Sequence, residues 1–122
     1  MVRIIVAGGR DFNDYRKLAT NLVAYFMRKG YTPKDVEIIS GTADGADKLG
    51  EKFAEKGGCK LTRMPADWSI GRQAGYVRNC DMADYAGDDG VCFCFWNGYS
   101  KGTRHMINIA RRKGLEVHII NY

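Results

Sequence analysis

The chain has 122 residues, of which 45% are hydrophobic and 27% charged, and its formal net charge is +5 at pH 7. This composition is typical of a folded domain with a real core, and it excludes a chain that is disordered over half its length. No apolar run approaches the roughly 20 residues that a membrane-spanning helix needs. We therefore expect one domain over residues 1–122, neither exported nor inserted in a membrane, in the cytoplasm.

The net charge indicates the kind of partner, and the cysteine spacing bears on metal binding. A basic protein favours an anionic partner, and both a nucleotide and a nucleic acid qualify. The four cysteines lie at spacings that fit no common zinc motif, so we expect buried, reduced thiols and no metal site. His105 has no histidine or cysteine partner at metal-ligand spacing, and no cofactor is predicted.

Apolar β-branched runs alternate with amphipathic runs along the first half of the chain. The pattern predicts a strand over 3–7, a helix over 15–28, a strand over 36–39, and a helix from Ala46 to the glycine pair at 57–58. Strand and helix therefore repeat in strict order.

The second half of the chain continues this order. We predict a strand over 60–64 that Pro65 ends, a helix over about 69–85, a strand over 90–96, a helix over 103–113 and a strand over 116–120. The run over 90–96 is apolar on both sides, which indicates a central strand.

Alternating strands and helices predict an α/β fold, a Rossmann-like three-layer domain with a mainly parallel five-stranded sheet. Ligands of such sheets bind beyond the carboxyl ends of the strands, where the strand order reverses. If the first and fourth strands flank that point, the turns that follow them face each other across a crevice.

Three glycine-bearing turns lie between a predicted strand and a predicted helix: residues 8–10, 40–47 and 97–103. A turn of this kind points N–H groups outward with the positive end of the helix dipole behind them, which suits phosphate. The three turns together predict one composite pocket for a phosphorylated ligand.

These turns, with Pro65-Ala66-Asp67-Trp68 and Gly75-Tyr76-Val77-Arg78-Asn79, resemble the SLOG superfamily, and most closely its small YspA/YpsA-related branch. Relatives in this superfamily include the LOG phosphoribohydrolases, the DNA-binding DprA proteins and sensor domains for ADP-ribose-like signals. The resemblance implies a nucleotide-type ligand and a homodimer formed through helices beside the ligand site.

The LOG enzymes use an arginine and a glutamate for N-glycosidic cleavage. Arg78 matches the arginine, and Gly102-Thr103 matches the end of the motif that carries the glutamate, but Met106 stands at the glutamate position. A thioether can neither act as a base nor stabilise an oxocarbenium ion. Cleavage would therefore need a carboxylate from Asp47, Asp67 or Asp81, and Arg78 and Asp47 are the catalytic candidates if the protein is an enzyme.

Arg10 and Arg78 are the main phosphate candidates, because a guanidinium can hold phosphate through two parallel hydrogen bonds. Asp47 either complements the helix dipole or binds a ribose hydroxyl, and Thr103 either caps the last helix or binds phosphate. Trp68 is a candidate for base stacking, whereas Trp96 is expected in the core. The full set of predicted ligand-binding residues is Gly8, Gly9, Arg10, Ser40, Gly41, Thr42, Gly45, Asp47, Trp68, Arg78, Asn79, Gly98, Ser100, Lys101, Gly102 and Thr103.

The sequence thus leads to three hypotheses. The first is a protein that binds a nucleotide, an ADP-ribose-like molecule or a cyclic nucleotide as a sensor or by sequestration. The second is a phosphoribohydrolase-like N-glycosidase that acts on nucleoside monophosphates. The third is a DprA-like module that binds single-stranded DNA, for which the basic cluster at 111–113 offers little support because such clusters are usually solvated helix ends.

Overall fold

The computed structural model describes all 122 residues. Strands and helices alternate throughout, and all nine predicted elements are present: β1 (Val2–Gly8), α1 (Tyr15–Lys29), β2 (Val36–Ser40), α2 (Ala46–Gly57), β3 (Lys60–Arg63), α3 (Ala74–Ala86), β4 (Val91–Trp96), α4 (Lys101–Arg112) and β5 (Glu116–Asn121). No helix combines the length and the apolar character that crossing a bilayer requires.

The five strands form one sheet in the order β3-β2-β1-β4-β5, and every neighbouring pair is parallel. The predicted Rossmann-like α/β fold is confirmed. In the β1–β4 pair, Ile4 lies opposite Val91 and Gly8 opposite Phe95. The chain therefore reverses its order between β1 and β4, and the turns that follow these two strands lie at the same edge of the sheet.

Helices cover both faces of the sheet and create two cores. On one face, Leu22 of α1 and Phe53 of α2 pack with Ile4, Phe93 and their neighbours. On the other face, residues of α3 and α4 pack on the opposite sides of the same strands, with Met82, Met106, Ile5, Cys92 and Cys94 among them. Strand β4 lies between β1 and β5, and its apolar side chains belong alternately to the two cores, which confirms it as a central strand.

The cysteines divide between core and periphery. Cys92 and Cys94 are fully buried free thiols, whereas Cys59 and Cys80 are only half-buried. The expectation of buried thiols therefore holds for two of the four. Cys59 lies between α2 and β3 and Cys80 lies in the middle of α3, and each is partly exposed to solvent.

Helix α3 begins at Ala74, five residues later than predicted, because a separate short turn precedes it. Residues Trp68–Ile70 form a 3₁₀ turn in which the Asp67 carboxylate accepts the backbone N–H of Ser69 at 3.1 Å. Gly71 then adopts φ of +109°, which no helix contains. The apolar residues of the turn continue the helical spacing by coincidence, so the sequence pattern could not separate the two elements.

Candidate functional site

A cleft lies at the carboxyl ends of the strands and has two adjoining lobes. The inner lobe, of about 220 Å³, lies between the end of β1, helix α3 and the start of α4. The outer lobe, of about 320 Å³, lies over the loops that follow β2 and β3. Four residues line both lobes and form the waist between them: Arg10, Ala43, Trp68 and Arg78.

The two arginines make the waist positive. The side chain of Arg10 is exposed and forms no hydrogen bond or ion pair. Arg78 donates through Nη1 to the carbonyl of Gly41 and through Nε to Oδ1 of Asn79 at 3.1 Å, but no carboxylate lies within 4.0 Å of it. Burial lowers the pKa of the Arg78 guanidinium, Asp47 opposes that change, and the charge of Arg10 adds to it. Two cations without direct anionic partners thus face one narrow space.

Asp47 stands in the first turn of α2 and lines the inner lobe, although only 4% of it is exposed. Its Oδ2 accepts the backbone N–H of Ala43 at 3.2 Å, and Oδ1 has no partner within the protein. Burial raises the pKa of this carboxyl to about 6, against the opposing effects of the Ala43 hydrogen bond and of Arg78. Asp47 is therefore a buried carboxyl with one oxygen available to a ligand.

The glycine turns use many of their N–H groups within the protein. Gly9 donates to the carbonyl of Phe95 at 3.0 Å, and Ala46 donates to the carbonyl of Gly9 at 3.2 Å. In the turn after β2, Ser40 Oγ accepts the N–H of Thr42 and Asp47 Oδ2 accepts that of Ala43. In the turn after β4, Asn97 Oδ1 accepts the N–H groups of Tyr99 and Ser100, and Ser100 Oγ accepts that of Thr103. Contrary to the expectation for the three turns, these N–H groups are therefore not free to bind an anion.

Close packing explains two of the glycines. A Cβ on Gly45, which has φ of +81°, would stand 2.2 Å from the carbonyl oxygen of Gly9. A Cβ on Gly41 would stand 2.6 Å from Nη1 of Arg78 and 2.8 Å from Oδ2 of Asp47. Gly45 therefore joins the first two turns, and Gly41 makes room for the two charged side chains of the cleft.

The structure brings eleven of the sixteen predicted ligand-binding residues to the cleft. They are Gly8, Arg10, Gly41, Thr42, Asp47, Trp68, Arg78, Asn79, Ser100, Gly102 and Thr103. Five do not line it: Gly9, Ser40, Gly45, Gly98 and Lys101. Ser40 is fully buried, and its hydroxyl donates to Oε2 of Glu51 at 2.7 Å, so it supports the β2–α2 loop from below.

The start of α4 assigns the capping role to Ser100. Its Oγ accepts the N–H of Thr103 at 3.3 Å and the hydroxyl of Thr103 at 3.0 Å, so of the two roles considered for Thr103 the capping role belongs to Ser100. Thr103 is buried and lines the inner lobe. Trp96 is half-buried against the core on the α3 and α4 face, as expected, and its indole N–H donates to the carbonyl of Ser100 at 3.1 Å.

Sequence reasoning missed several residues that line the inner lobe, among them Arg72, Tyr76 and Met82. The spacing of Gly75, Asn79 and Met82 along α3, at i, i+4 and i+7, could have identified this face of the helix. It also missed His105 as a support: Nδ1 lies 3.2 Å from Nδ2 of Asn79, whose Oδ1 accepts from Arg78. The structure contains no group of three His, Cys, Asp or Glu side chains that could hold a metal ion.

Comparison with known proteins identifies the family. The chain is 31% identical over 123 residues to the Gene 61 protein of Mycobacterium phage D29, an alignment that covers 96% of this chain and 94% of that protein. No solved structure matches it. The model of the YspA, cpYpsA-related SLOG family matches residues 2–71, which include Arg10, the β2–α2 loop and Trp68. The chain therefore belongs to the YspA, cpYpsA-related SLOG family.

Proposed function

We propose that this protein binds a nucleotide or a nucleotide-derived molecule in the cleft and serves as a sensor or a sequestering protein. The observation that carries the proposal is the pair Arg10 and Arg78, which face the waist without a carboxylate within 4.0 Å. Such guanidiniums bind phosphate through charge-assisted hydrogen bonds. Membership of a SLOG family supports a nucleotide-related ligand.

Two further residues suit the nucleoside part of such a ligand. Trp68 lies at the waist with 57% of its surface exposed, so a face of its indole ring is available for stacking on a base. Asp47 offers its free oxygen to a ribose hydroxyl, and a bond from a hydroxyl to a carboxylate is among the stronger hydrogen bonds in proteins. Phosphate, base and sugar each have a matching group in the cleft.

Calorimetry at low salt tests the proposal with a panel of nucleoside monophosphates, cyclic dinucleotides and ADP-ribose. We expect at least one member to bind the wild type and Arg78→Ala to weaken that binding at least tenfold. Arg16→Ala is the matched control, because Arg16 is an exposed arginine on α1, outside the cleft. The proposal fails if no nucleotide binds, or if both variants bind as the wild type does. Single-stranded DNA binding that falls steeply with salt would then favour the DprA-like alternative.

A second candidate function is cleavage of an N-glycosidic bond, and the position of Asp47 favours it. A carboxyl that is buried, has one free oxygen and has its pKa raised to about 6 can exchange a proton near neutral pH. It would replace the glutamate that the LOG motif has at Met106, which lines the same lobe. Arg78 would hold the phosphate of a nucleoside monophosphate.

Chromatography of each mixture after incubation separates cleavage from binding. An enzyme releases free base from a nucleoside monophosphate, and Asp47→Asn abolishes the release while leaving a thermal shift by the nucleotide. Asp88→Asn, which changes an exposed carboxylate outside the cleft, is the control that keeps activity. If the ligand is recovered intact from every mixture, the second candidate is wrong and binding alone remains.

We further propose that the chain forms a homodimer. Four exposed apolar side chains lie on α3 and on the 3₁₀ turn before it: Trp68, Ile70, Tyr76 and Val77. We call this set the apolar rim, because Trp68 and Tyr76 also line the cleft. A second copy packed on the rim would lie beside the ligand.

A further inference from the structure

We propose that the ligand of this cleft carries its phosphate in the interior of the molecule. The phosphate is a diester or a pyrophosphate with an organic group on each side, rather than a monoester at one end. This inference rests on the proposed function, because it concerns which phosphate-bearing ligand the same cleft takes.

The first step is the position of the cations. Arg10 and Arg78 line both lobes, so they stand at the boundary between them. A phosphate held by both guanidiniums therefore lies in the middle of the cleft. A ligand that fills both lobes must extend from that phosphate in two directions.

The second step is that the other possible phosphate site in the inner lobe has few free hydrogen-bond donors. The start of α4 is the other place where the inner lobe could hold an anion, but Ser100 already accepts the N–H of Thr103, and Asn97 accepts those of Tyr99 and Ser100. A terminal phosphate at that position would find these three N–H groups already bonded within the protein. The waist arginines have no carboxylate partner to displace.

The third step is the lining of the lobes. Each lobe contains a carboxylate, Asp47 in the inner and Asp44 in the outer, which suits sugar hydroxyls and repels a phosphate. The inner lobe also has an apolar floor at Met82 and Met106, and its one additional cation, Arg72, is exposed. An organic group matches each lobe better than a phosphate does.

Size gives a further argument. Ligand pockets that enclose a drug-sized molecule have volumes of roughly 300–1,000 Å³. The inner lobe has about 220 Å³ and the outer lobe about 320 Å³. The inner lobe lies below this range and the outer lobe lies at its lower limit, so a ligand with an organic group on each side of its phosphate would occupy both lobes and pass through the waist.

Calorimetry with two classes of probe tests the inference on the wild-type protein. ADP-ribose, NAD and cyclic di-AMP carry organic groups on both sides of a phosphate, whereas AMP and ribose 5-phosphate are one-sided. We expect at least one two-sided probe to bind at least tenfold more tightly than AMP and ribose 5-phosphate. If AMP binds as tightly as every two-sided probe, the phosphate is terminal and the inference is overturned, while nucleotide binding stands. If no probe binds, the proposed function and this inference both fail.

Variants that fill one lobe provide a second test. Gly102→Leu enters the inner lobe from a position where a Cβ meets no atom within 4 Å, and Ala66→Phe enters the outer lobe. We expect each to weaken the two-sided probe at least tenfold while its melting temperature stays that of the wild type. A folded variant of either kind that binds the probe with wild-type affinity would show that one lobe is not used, and would overturn the inference.

Discussion

At Gly45 the backbone has no room for a side chain. Its φ is +81°, and a Cβ would lie 2.2 Å from the carbonyl oxygen of Gly9 and 2.6 Å from that of Arg10. We expect Gly45→Ala to lower the free energy of unfolding by about 3 kcal/mol, because it combines backbone strain with overpacking against backbone atoms that cannot move aside. Urea unfolding measures the change.

Gly57 provides the control for this prediction. It lies in the last turn of α2, and a Cβ there would meet no atom within 4 Å. Gly57→Ala is expected to leave the protein unchanged or to stabilise it by up to about 1 kcal/mol, because alanine favours a helix. Equal stability of the two variants would contradict the close contact between the first and second turns.

The ionised carboxylate of Asp47 is expected to favour ligand binding but to lower the stability of the fold. Its pKa is raised to about 6 in the folded protein, chiefly by burial, against about 4 in an unfolded chain. The folded state then binds more protons than the unfolded state between these values, so the contribution of Asp47 to stability falls as pH rises from about 4 to about 6. Above pH 6 the ionised group destabilises the fold by on the order of 2 kcal/mol.

The variant Asp47→Asn removes this ionisation and keeps an acceptor for the N–H of Ala43. We expect it to be more stable than the wild type at pH 7.5, to lose that advantage near pH 4, and to bind nucleotide less well. Thermal unfolding across this pH range measures the difference, with Asp44→Asn as the exposed control. A variant less stable than the wild type at pH 7.5 would show that the carboxylate is fully compensated in the fold.

The side chains of the cleft show how far sequence reasoning reaches at single residues. Arg10 and Asp47 were predictable because they are charged residues in glycine turns, and Arg78 was predictable because it matches the arginine of the LOG motif. The role of Asn79 as a bridge between Arg78 and His105 was not, because His105 lies 26 residues further on and meets it only when α3 packs on α4. Ser40 was misplaced because a serine in a turn gives no indication of whether it faces the cleft or, as here, Glu51.

Among the elements, strand β2 contains a buried charge that ties four of them together. Glu37 is 1% exposed and accepts from Thr62 Oγ1 of β3 at 2.6 Å, from the Tyr85 hydroxyl of α3 at 2.5 Å and from Arg3 Nε of β1 at 3.3 Å. The negative charge of Glu37 strengthens each of these hydrogen bonds, and Glu37→Gln removes that charge. We expect a loss of about 2 kcal/mol in the free energy of unfolding, measured in urea at pH 7.

The pH dependence of this loss is distinctive. Burial alone would raise the pKa of Glu37, but the hydrogen bonds from Thr62, Tyr85 and Arg3 outweigh it and hold the pKa below its usual value. Its contribution is therefore present above the pKa of an unfolded glutamate, about 4.3, and is lost as pH falls through the lower folded value. The wild type and Glu37→Gln should converge in acid, whereas Glu55→Gln, an exposed glutamate, should match the wild type throughout. A constant difference down to pH 2 would refute the role of the charge.

Elements were easier to predict than the contacts between them. Every strand and helix was recognisable because its apolar period depends on neighbours in the chain. The burial of Glu37 was not, because its partners lie 25, 34 and 48 residues away. The predicted start of α3 was wrong for a related reason, because the 3₁₀ turn capped by Asp67 resembles the first turn of a helix in sequence.

At the scale of the whole molecule, parallel topology determines where the cleft lies but not what shape it has. The sequence predicted a site beyond the carboxyl ends of the strands but left open which strands flank the reversal of order, and the structure places β1 and β4 there. The division into two lobes depends on Trp68 and Arg78, which come from the segment after β3 and from α3. No periodicity contains that information.

The apolar rim gives the last prediction, a homodimer in which α3 packs against its copy. Val77 lies in the rim with 42% exposure, and Val23 on α1 is a matched control with 45% exposure on the other face of the sheet. A charge in the centre of an apolar interface costs far more than a charge on an open helix surface, because the interface removes its water. We therefore expect sedimentation to find a dimer for the wild type and for Val23→Glu, and a monomer for Val77→Glu. A wild type that sediments as a monomer at micromolar concentration would contradict the dimer, and the apolar rim would then contact only the ligand.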